Sequence, residues 1–344
     1  MITFRWFGRR DPIPLSHIRQ IPAVRGIVSA LFEIPVGEAW TFDQLARLRD
    51  EVDRHAMSLE VIESVPVHED IKLGRPTRDR LIDNYCESIR NIGRAGVGVL
   101  CYNFMPVFDW MRTELARQLP DGSTALAFED AALAKIDLSR GTAELPGWAT
   151  AYSAQELNAL LDAYRSIDEN RLWENLLYFL ERVVPAAVSS GVRMALHPDD
   201  PPWSVFGLPR VVTSGAALER VIGIVDDPAN GITFCAGSLA VDARNDLVEI
   251  VRRVGAGRIH FAHCRNIRRT GQHSFEETAH PSDHGDVDMR AVLEALHETG
   301  FRGPIRSDHG RMIWGETGQP GYGLYDRALG AMYLRGLWEG ITGE

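Results

Sequence analysis

Four strand-like runs in the second half of the chain decide the fold, because each ends on a residue that can bind a metal. They are Arg193-Met-Ala-Leu-His197, Ile232-Thr-Phe-Cys235, Ile259-His-Phe-Ala-His263 and Pro304-Ile-Arg-Ser-Asp308. A polar loop and a helical pattern separate each run from the next, as in consecutive βα units. In a (β/α)₈ barrel the C-terminal ends of all strands open onto one face, so the four terminal residues are expected to converge there.

The rest of the chain completes this alternation. Four earlier strand candidates lie at residues 2–7, 26–33, 57–63 and 96–103. Apolar residues at helical spacing predict helices over residues 41–55, 77–93, 153–190 with a break near Ile167, 215–224, 244–254, 287–299 and 325–338. Eight strands that alternate with helices predict an α/β protein, a single TIM (β/α)₈ barrel domain over residues 1–344.

One segment interrupts the alternation of strands and helices after the fourth strand. Residues 104–152 contain Pro106, Pro120 and Pro146 and a short helical patch at residues 129–135. Structureless connections longer than about 12–15 residues in compact domains are often functional. The segment is therefore predicted to be an insertion that serves as a lid.

Composition excludes several classes of function. The formal net charge of −10 disfavours nucleic-acid binding, which needs a basic surface. The sequence has neither an apolar run near the roughly 20 residues of a membrane span nor a secretory signal. The four cysteines form no CxxC pair, which indicates a reducing compartment. We therefore expect a soluble, cytoplasmic protein without a nucleic-acid or membrane partner.

The residues that end the four runs form a mixed ligand set. His197, Cys235, His263 and Asp308 offer two imidazoles, a thiolate and a carboxylate, a set that suits Fe²⁺, Mn²⁺ or Zn²⁺ better than Mg²⁺ or Ca²⁺. Singly, each residue has a structural explanation, such as a small buried side chain for Cys235. His260 competes with His263, but the residue that ends the strand is favoured.

Groups of another kind adjoin these ligands. His309 follows Asp308 directly and Arg306 precedes it by two positions, while Arg265 and Asn266 follow the third run. Arginine binds carboxylates with two hydrogen bonds, which predicts an acidic substrate. Two further acids, Asp199 and Asp200, are either partners that orient His197 or turn residues.

The motifs together resemble the mannonate dehydratase family of metal-dependent sugar-acid lyases. They extend over nearly the whole chain: Phe4-Arg-Trp6, Glu63-Ser-Val-Pro-Val-His-Glu-Asp-Ile-Lys72, Cys101-Tyr-Asn-Phe-Met-Pro106, His197-Pro-Asp-Asp-Pro-Pro202, Phe234-Cys-Ala-Gly-Ser238, His260-Phe-Ala-His-Cys-Arg-Asn266, Gly285-Asp-Val-Asp-Met289, Asp308-His-Gly310 and Pro320-Gly-Tyr322.

The resemblance implies a xylose-isomerase-like barrel with one divalent metal, Mn²⁺ or Fe²⁺, per subunit. It implies the dehydration of D-mannonate to 2-dehydro-3-deoxy-D-gluconate in glucuronate (hexuronate) catabolism, and a homo-oligomer, most simply a dimer. His309 and Tyr322 become the proton-transfer pair. The substrate contacts are predicted at Arg306, Arg265, Asn266, Asn103 and Arg5. The chain departs from the family's pattern at Phe7, Phe32, Glu33 and Ser307.

The predicted reaction removes the C2 proton of a 2,3-dihydroxy acid and expels the C3 hydroxyl group. We assign Tyr322 as the base and His309 as the acid, and the reverse assignment is open. The alternatives are a dehydratase of a related aldonate, a sugar isomerase or epimerase on the same barrel, and a non-catalytic binding protein.

Overall fold

A computed structural model describes residues 1–136, 152–255 and 257–343. Eight parallel strands close into a barrel, and four antiparallel strands form a second sheet beside it. The strands are β1 (Ile2–Arg5), β2 (Val24–Ser29), β3 (Ser58–Glu63), β4 (Val99–Tyr102), β5 (Glu114–Gln118), β6 (Thr124–Glu129), β7 (Arg193–Leu196), β8 (Asn230–Cys235), β9 (Ile259–His263), β10 (Ile267–Gly271), β11 (Ser274–Glu277) and β12 (Ile305–Arg306).

Around the barrel the strand order is β1-β12-β9-β8-β7-β4-β3-β2, so neighbours in the chain are neighbours in the sheet. The helices are α1 (Leu15–Ile18), α2 (Phe42–Asp53), α3 (Glu69–Lys72), α4 (Arg78–Arg94), α5 (Asp130–Leu133), α6 (Ala154–Tyr164), α7 (Glu169–Ser190), α8 (Gly215–Ile224), α9 (Ala236–Ala240), α10 (Leu247–Val254), α11 (Met289–Glu298) and α12 (Tyr325–Thr342). The predicted barrel with its eight strands is confirmed.

Local capping explains two of the helix boundaries. The helical region predicted over residues 153–190 is two helices that separate at the predicted break near Ile167, because Ser153 caps α6 and Asp168 caps α7, each accepting a hydrogen bond from a backbone N–H of the first turn. Helix α10 begins at Leu247 rather than at residue 244, because the Asp246 side chain accepts a hydrogen bond from the Glu249 backbone N–H.

The core has two parts. A large cluster packs the helices against the outside of the barrel. Inside the barrel a small plug of side chains fills the space between the strands, as is usual for this architecture. The plug consists of Val28, Val61, Val99, Cys101, Ala195 and Phe261. Because the plug closes the interior, the polar residues at the strand ends face a cavity at the C-terminal mouth.

The second sheet was not predicted from the sequence. Its order is β10-β11-β6-β5, so a hairpin from residues 104–152 pairs with a hairpin that follows β9. Phe275 of β11 is opposite Phe128 of β6, and the two rings stack with centroids 6.0 Å apart. Residues 137–151 of the predicted insertion lie outside the described residues.

No helix within the described ranges combines the length and the apolar character that a bilayer crossing requires.

Candidate metal centre and active site

Strand register brings the predicted metal ligands to one rim of the barrel. Cys235 at the end of β8 is in register with His263 at the end of β9, and Arg306 of β12 is in register with the same histidine. His197 directly follows β7 and Asp308 follows β12 by two residues. Parallel strands that end at one rim therefore place these side chains together.

The first three ligands form a compact cluster. One ligand atom each from His197, Cys235 and His263 lies within 4.8 Å of the other two. The Nε2 atom of His197 is 3.2 Å from Nδ1 of His263. The Asp308 carboxylate closes the set, with Oδ2 3.8 Å from the Cys235 sulfur and Oδ1 3.8 Å from His263 Nδ1.

The orientation of both imidazoles fits metal binding. His197 Nδ1 is 2.7 Å from the Pro198 carbonyl oxygen, so Nδ1 carries a hydrogen and Nε2 is the nitrogen directed at the cluster. Burial and the nearby Arg306 hold the pKa of His263 well below its usual value, so this ring is neutral. Neutral imidazole is the form that binds metals.

The charge around the cluster favours a cation. Burial opposes a charged His197, but Cys235, Glu63 and Asp308 outweigh it and raise the pKa of His197 to about 9. In other words, the negative groups around this imidazole attract positive charge. Two nitrogens, a sulfur and a carboxylate are a donor set for a divalent transition metal, so the residues present fit such an ion.

His260 does not belong to this cluster. Its side chain is buried, and a Cβ atom added at Gly231 would meet His260 Nε2 at 2.3 Å. Because side chains alternate along a strand, the offset of three residues turns His260 away from the face that presents His263. The sequence-based choice of His263 agrees with this geometry.

Asp308 is held by two arginines. Its backbone has a φ of 64°, in the left-handed region that non-glycine residues rarely adopt. Arg265 Nε donates to Oδ2 at 2.9 Å, and a nitrogen of Arg306 lies 2.8 Å from Oδ1. Although burial opposes ionisation, His309 and Arg306 are among the groups that hold the pKa of Asp308 well below its usual value. The carboxylate is therefore anionic and fixed in direction.

The proposed proton-transfer residues form a chain of hydrogen bonds. The Nδ1 atom of His309 lies 2.8 Å and 3.0 Å from the two carboxylate oxygens of Glu277. His309 Nε2 lies 2.9 Å from the hydroxyl oxygen of Tyr322. Because a carboxylate only accepts, Nδ1–H donates to Glu277. When the imidazole is neutral, its Nε2 lone pair can accept the hydrogen of the Tyr322 hydroxyl. Burial raises the pKa of Tyr322 well above its usual value, so the phenol is protonated.

A buried ion network fixes Glu277. Burial would raise its pKa, but His309, Arg265 and Arg112 hold the pKa of Glu277 at about 2. Both arginines also bind Asp200, with nitrogen–oxygen distances of 2.9 Å for Arg112 and 2.6 Å for Arg265. The network links the second sheet to the barrel, so it sets the position of His309.

These groups surround a cavity of about 330 Å³ at the mouth of the barrel. Three sets of residues contribute to its wall. The set around the metal cluster and the proton-transfer pair consists of Glu63, Cys101, His197, Asp200, Arg306, Asp308, His309 and Tyr322. An aromatic and aliphatic set consists of Phe7, Ala30, Leu31, Phe32, Ile34, Val36, Pro66, Met105 and Trp110, and the remaining residues are Arg5, Ser64, Tyr102, Asn103 and Asp109.

Three of the five predicted substrate contacts reach this cavity. Arg306, Arg5 and Asn103 line it. Two N–H-bearing nitrogens of Arg306, Nε and Nη1, are buried and have no hydrogen-bond partner within the described residues. Arg5 lies 3.2 Å from the Glu63 carboxylate.

The prediction of substrate contacts at Arg265 and Asn266 is not supported by the geometry. Neither residue lines the cavity. The Arg265 guanidinium is occupied by Asp200, Asp308 and Glu277. Asn266 accepts hydrogen bonds from two backbone N–H groups and donates to the Pro281 carbonyl. Both residues therefore orient their neighbours.

Of the two alternatives left open for the acids after His197, the structure does not support the one in which they orient that histidine. Asp199 accepts hydrogen bonds from the backbone N–H groups of Val211 and Val212. Asp200 binds the arginine network. The Pro198 carbonyl, rather than either carboxylate, contacts His197 Nδ1.

Glu277, Arg112 and Glu63 were missed by sequence reasoning. Glu63 and Arg306 are 3.1 Å apart, and Glu63 lies 3.5 Å from His263 Nε2. Its position at the end of β3, like the ligands at their strand ends, was a signal that could have identified it. For Glu277 and Arg112 no such signal exists, because the unpredicted sheet positions them.

The departures from the family's pattern fall in different places. Phe7 and Phe32 line the cavity, and Arg5 lies over both rings at 4.9 Å and 5.4 Å from their centroids. Glu33 is exposed and does not line the cavity. The buried Ser307 hydroxyl donates to the Arg327 carbonyl at 3.0 Å.

Comparisons with known proteins agree on one family. A family model described as D-mannonate dehydratase (UxuA) matches residues 1–344. The chain is 54% identical over 341 residues to a mannonate dehydratase of Streptococcus agalactiae, covering 99% of this chain and 98% of that relative. It is 53% identical over 342 residues to mannonate dehydratase 2 of Halalkalibacterium halodurans, covering 99% of each.

Solved structures extend the comparison to the fold. A mannonate dehydratase from Streptococcus suis superposes with a TM-score of 0.92 at 47% identity, covering 99% of this chain and 95% of that chain. A xylose isomerase domain protein from Planctomyces limnophilus has a TM-score of 0.57 at 16% identity, covering 100% of this chain and 99% of that one. The second likeness shows the barrel alone.

Proposed function

This chain belongs to the D-mannonate dehydratase (UxuA) family, and we propose that it converts D-mannonate to 2-dehydro-3-deoxy-D-gluconate and water with the groups that line its cavity. It is a hydro-lyase of carbohydrate metabolism. The observation that carries the proposed mechanism is the hydrogen-bonded chain Tyr322–His309–Glu277, which opens on a cavity beside the metal cluster.

The family is metal-dependent, and His197, Cys235, His263 and Asp308 are the residues proposed to hold one divalent ion. We propose Mn²⁺ or Fe²⁺, since both accept this mixed donor set. When bound, the ion supplies Lewis-acid stabilisation of the negative charge that develops next to the substrate carboxylate.

Arg306 is proposed to bind the substrate carboxylate. Two of its buried nitrogens have no partner within the described residues, while a third already pairs with Glu63 and Asp308. A buried guanidinium with free N–H groups is stabilised by a carboxylate that pairs with it. Arg5 lines the same cavity and adds positive charge. Binding there places C2 and C3 next to the proton-transfer residues.

Of the two assignments that the sequence left open, we propose His309 as the base and Tyr322 as the acid. Glu277 fixes the hydrogen on Nδ1, so Nε2 is the nitrogen that can accept the C2 proton. Tyr322 is protonated and can donate to the departing C3 hydroxyl group. Its hydrogen bond to Nε2 provides a path by which the abstracted proton returns to the phenol. The enol product then tautomerises to the 2-keto acid.

The test is 2-keto-acid formation from D-mannonate by protein stripped of metal and refilled separately with Mn²⁺, Fe²⁺ or Mg²⁺. We expect turnover with Mn²⁺ or Fe²⁺ and little with Mg²⁺. Turnover of a different aldonate, and not of D-mannonate, would agree with the proposed mechanism but would show that the substrate is that other aldonate. Turnover of aldoses instead of aldonates would replace the dehydratase with an isomerase or epimerase.

The remaining expectations are also proposals. A cytoplasmic enzyme of hexuronate catabolism fits the substrate, and a homodimer is proposed for the assembly. Within the predicted insertion, the described residues 104–136 are proposed to cover the site, as supported by Trp110, which lines the cavity with its ring centroid 5.2 Å from that of His309.

A further inference from the structure

One carboxyl group in the cavity wall takes no part in the metal cluster, in the proton-transfer chain or in the arginine pairs that bind Glu63 and Asp200. Asp109 lines the catalytic cavity and also a neighbouring cavity of about 370 Å³. The wall residues that the two cavities share are Val36, Pro66, Asn103 and Asp109. Asp109 therefore lies where the catalytic cavity continues into the second one, and the second cavity includes neither Arg306 nor His309 among its lining residues.

The electrostatic surroundings of Asp109 differ from those of the catalytic wall. Burial raises the pKa of Asp109, and the positive charge of Lys72 opposes that rise. At Arg306 the strongest charges are instead those of Glu63 and Asp308. No basic side chain of the described residues forms an ion pair with Asp109 within 4.0 Å. Within the described residues, the Asn103 amide is the side chain that hydrogen-bonds to the Asp109 carboxyl group, which leaves acceptor capacity for a molecule in the cavity.

The backbone that carries Asp109 is held on both sides. Arg210 donates to the Phe108 carbonyl oxygen at 2.8 Å, and the Met111 backbone N–H donates to the Asp200 carbonyl oxygen at 3.2 Å. Upstream, the Lys72 ammonium donates to the Met105 carbonyl at 2.6 Å. A side chain on such a braced segment is preorganised for recognition.

Asn103 supports the carboxyl group. Its Oδ1 accepts a hydrogen bond from the Met105 backbone N–H, so its amide N–H₂ is the group that can donate to Asp109. Asn103 was predicted to contact the substrate, and its interaction with Asp109 makes the two residues one polar unit.

We propose that Asp109 recognises the hydroxyl groups at the end of the sugar acid remote from its carboxylate, and so determines chain length and orientation. Hydroxyl groups donate hydrogen bonds to a carboxylate, whereas a second carboxylate is repelled by it. Arg306 and Asp109 both line the cavity, so an aldonate binds in a single orientation. Its carboxylate lies at the Arg306 guanidinium and its terminal hydroxyl groups lie at Asp109. This inference rests on the proposed function and deepens it.

The test uses three aldonates that share the configuration at C2 and C3 and become successively shorter: D-mannonate, D-lyxonate and L-erythronate. The protein is the full chain refilled with the metal that supports turnover, and kcat and KM are measured for wild type, Asp109→Asn and Asp109→Ala. The matched control is Glu33→Gln, which changes an exposed carboxylate that does not line the cavity. A shortened acid that is not turned over is measured as a competitive inhibitor of D-mannonate.

We expect Asp109→Ala to lower kcat/KM for D-mannonate by about 10- to 100-fold, mainly through KM, since hydrogen bonds to charged groups have this magnitude. For L-erythronate, which lacks C5 and C6, kcat/KM or the inhibition constant stays within about threefold of wild type. Asp109→Asn, which keeps the shape but removes the charge, gives an intermediate loss. The control retains the wild-type preference for D-mannonate.

Equal losses for all three acids would overturn the proposal, because a residue that only supports the segment affects every substrate alike. An unchanged KM for D-mannonate in both Asp109 variants would overturn it as well. The proposed function fails separately, when wild-type protein forms no 2-keto acid from any of the three. In that case calorimetric titration measures how tightly wild type and Asp109→Ala bind D-mannonate and L-erythronate. Equal affinities of the two proteins for D-mannonate would refute the proposed role of Asp109.

Discussion

His309 depends on a partner that lies 32 positions away in the sequence. Glu277 orients its imidazole, and Tyr322 contacts the opposite nitrogen. Among the four proposed metal ligands, Asp308 is the one that the His309 ring approaches, with Nε2 3.8 Å from Asp308 Oδ1. Proton transfer and metal binding are therefore separable by mutation.

We predict that His309→Asn retains the metal and lowers kcat by about 10²–10⁴-fold, the contribution usual for one acid or base. The measurements are metal content after dialysis and 2-keto-acid formation. The control is His17→Asn at an exposed histidine. A variant with near wild-type kcat would remove His309 from the chemistry.

Cys235 is the proposed soft ligand of the cluster and is completely buried. We predict that Cys235→Ser weakens metal retention, because a neutral hydroxyl replaces a sulfur that binds as a thiolate. Metal stoichiometry after dialysis is the measurement, with Cys86→Ser, a cysteine outside the site, as the control. An unchanged stoichiometry would mean that Cys235 is only a small core residue.

At the scale of elements, the second sheet is what delivers Glu277 to the site. Strand β11 carries both the buried Phe275 and Glu277, and the Phe275 ring packs on Phe128 and Trp203. The sheet is thus a scaffold for a catalytic partner as well as part of the core.

We predict that Phe275→Ala destabilises the protein by about 3–5 kcal/mol, the cost of truncating a buried phenylalanine. Since Glu277 is on the same short strand, kcat should fall too. Urea unfolding and D-mannonate turnover measure the two effects. Thr270→Ala, at an exposed position of β10, serves as the control and should stay within about 0.5 kcal/mol. A destabilised variant with unchanged kcat would show that the packing of Phe275 does not determine the position of Glu277.

At the scale of the whole molecule, the buried ion network makes stability depend on pH. The pKa of Glu277 is about 2 in the folded protein, against an ordinary value of 4.5. A carboxyl group whose pKa is lower when folded stabilises the protein fully above its unfolded pKa. That contribution is lost as the pH falls through the folded pKa.

We therefore predict that the free energy of unfolding of wild type exceeds that of Glu277→Gln at pH 7, and that the difference shrinks between about pH 4.5 and pH 2. Urea unfolding across this range is the measurement. The neighbouring, partly exposed Glu276→Gln is the control and should show a smaller dependence. A difference that is constant with pH would show that Glu277 acts by shape rather than by charge.

The barrel and the convergence of its proposed metal ligands were determined by sequence alone. Strand and helix periods are local, and parallel strands that end at one rim need no further information to bring His197, Cys235, His263 and Asp308 together. Arg306 and His309 could be predicted for the same reason, because both lie within two residues of Asp308 in the chain.

Tertiary structure alone decided which groups serve these residues. Glu277 reaches His309 because two hairpins from distant parts of the chain pair, and strand β10, Ile267–Gly271, has almost no buried side chain that would mark it as a strand. Arg265 was predicted to contact substrate but is occupied by three carboxylates that converge only in the fold. Asp109 lies at the junction of two cavities, which exists only in the folded chain. Pairing between distant segments leaves no periodic pattern in the sequence, which is why these partners could not be predicted from it.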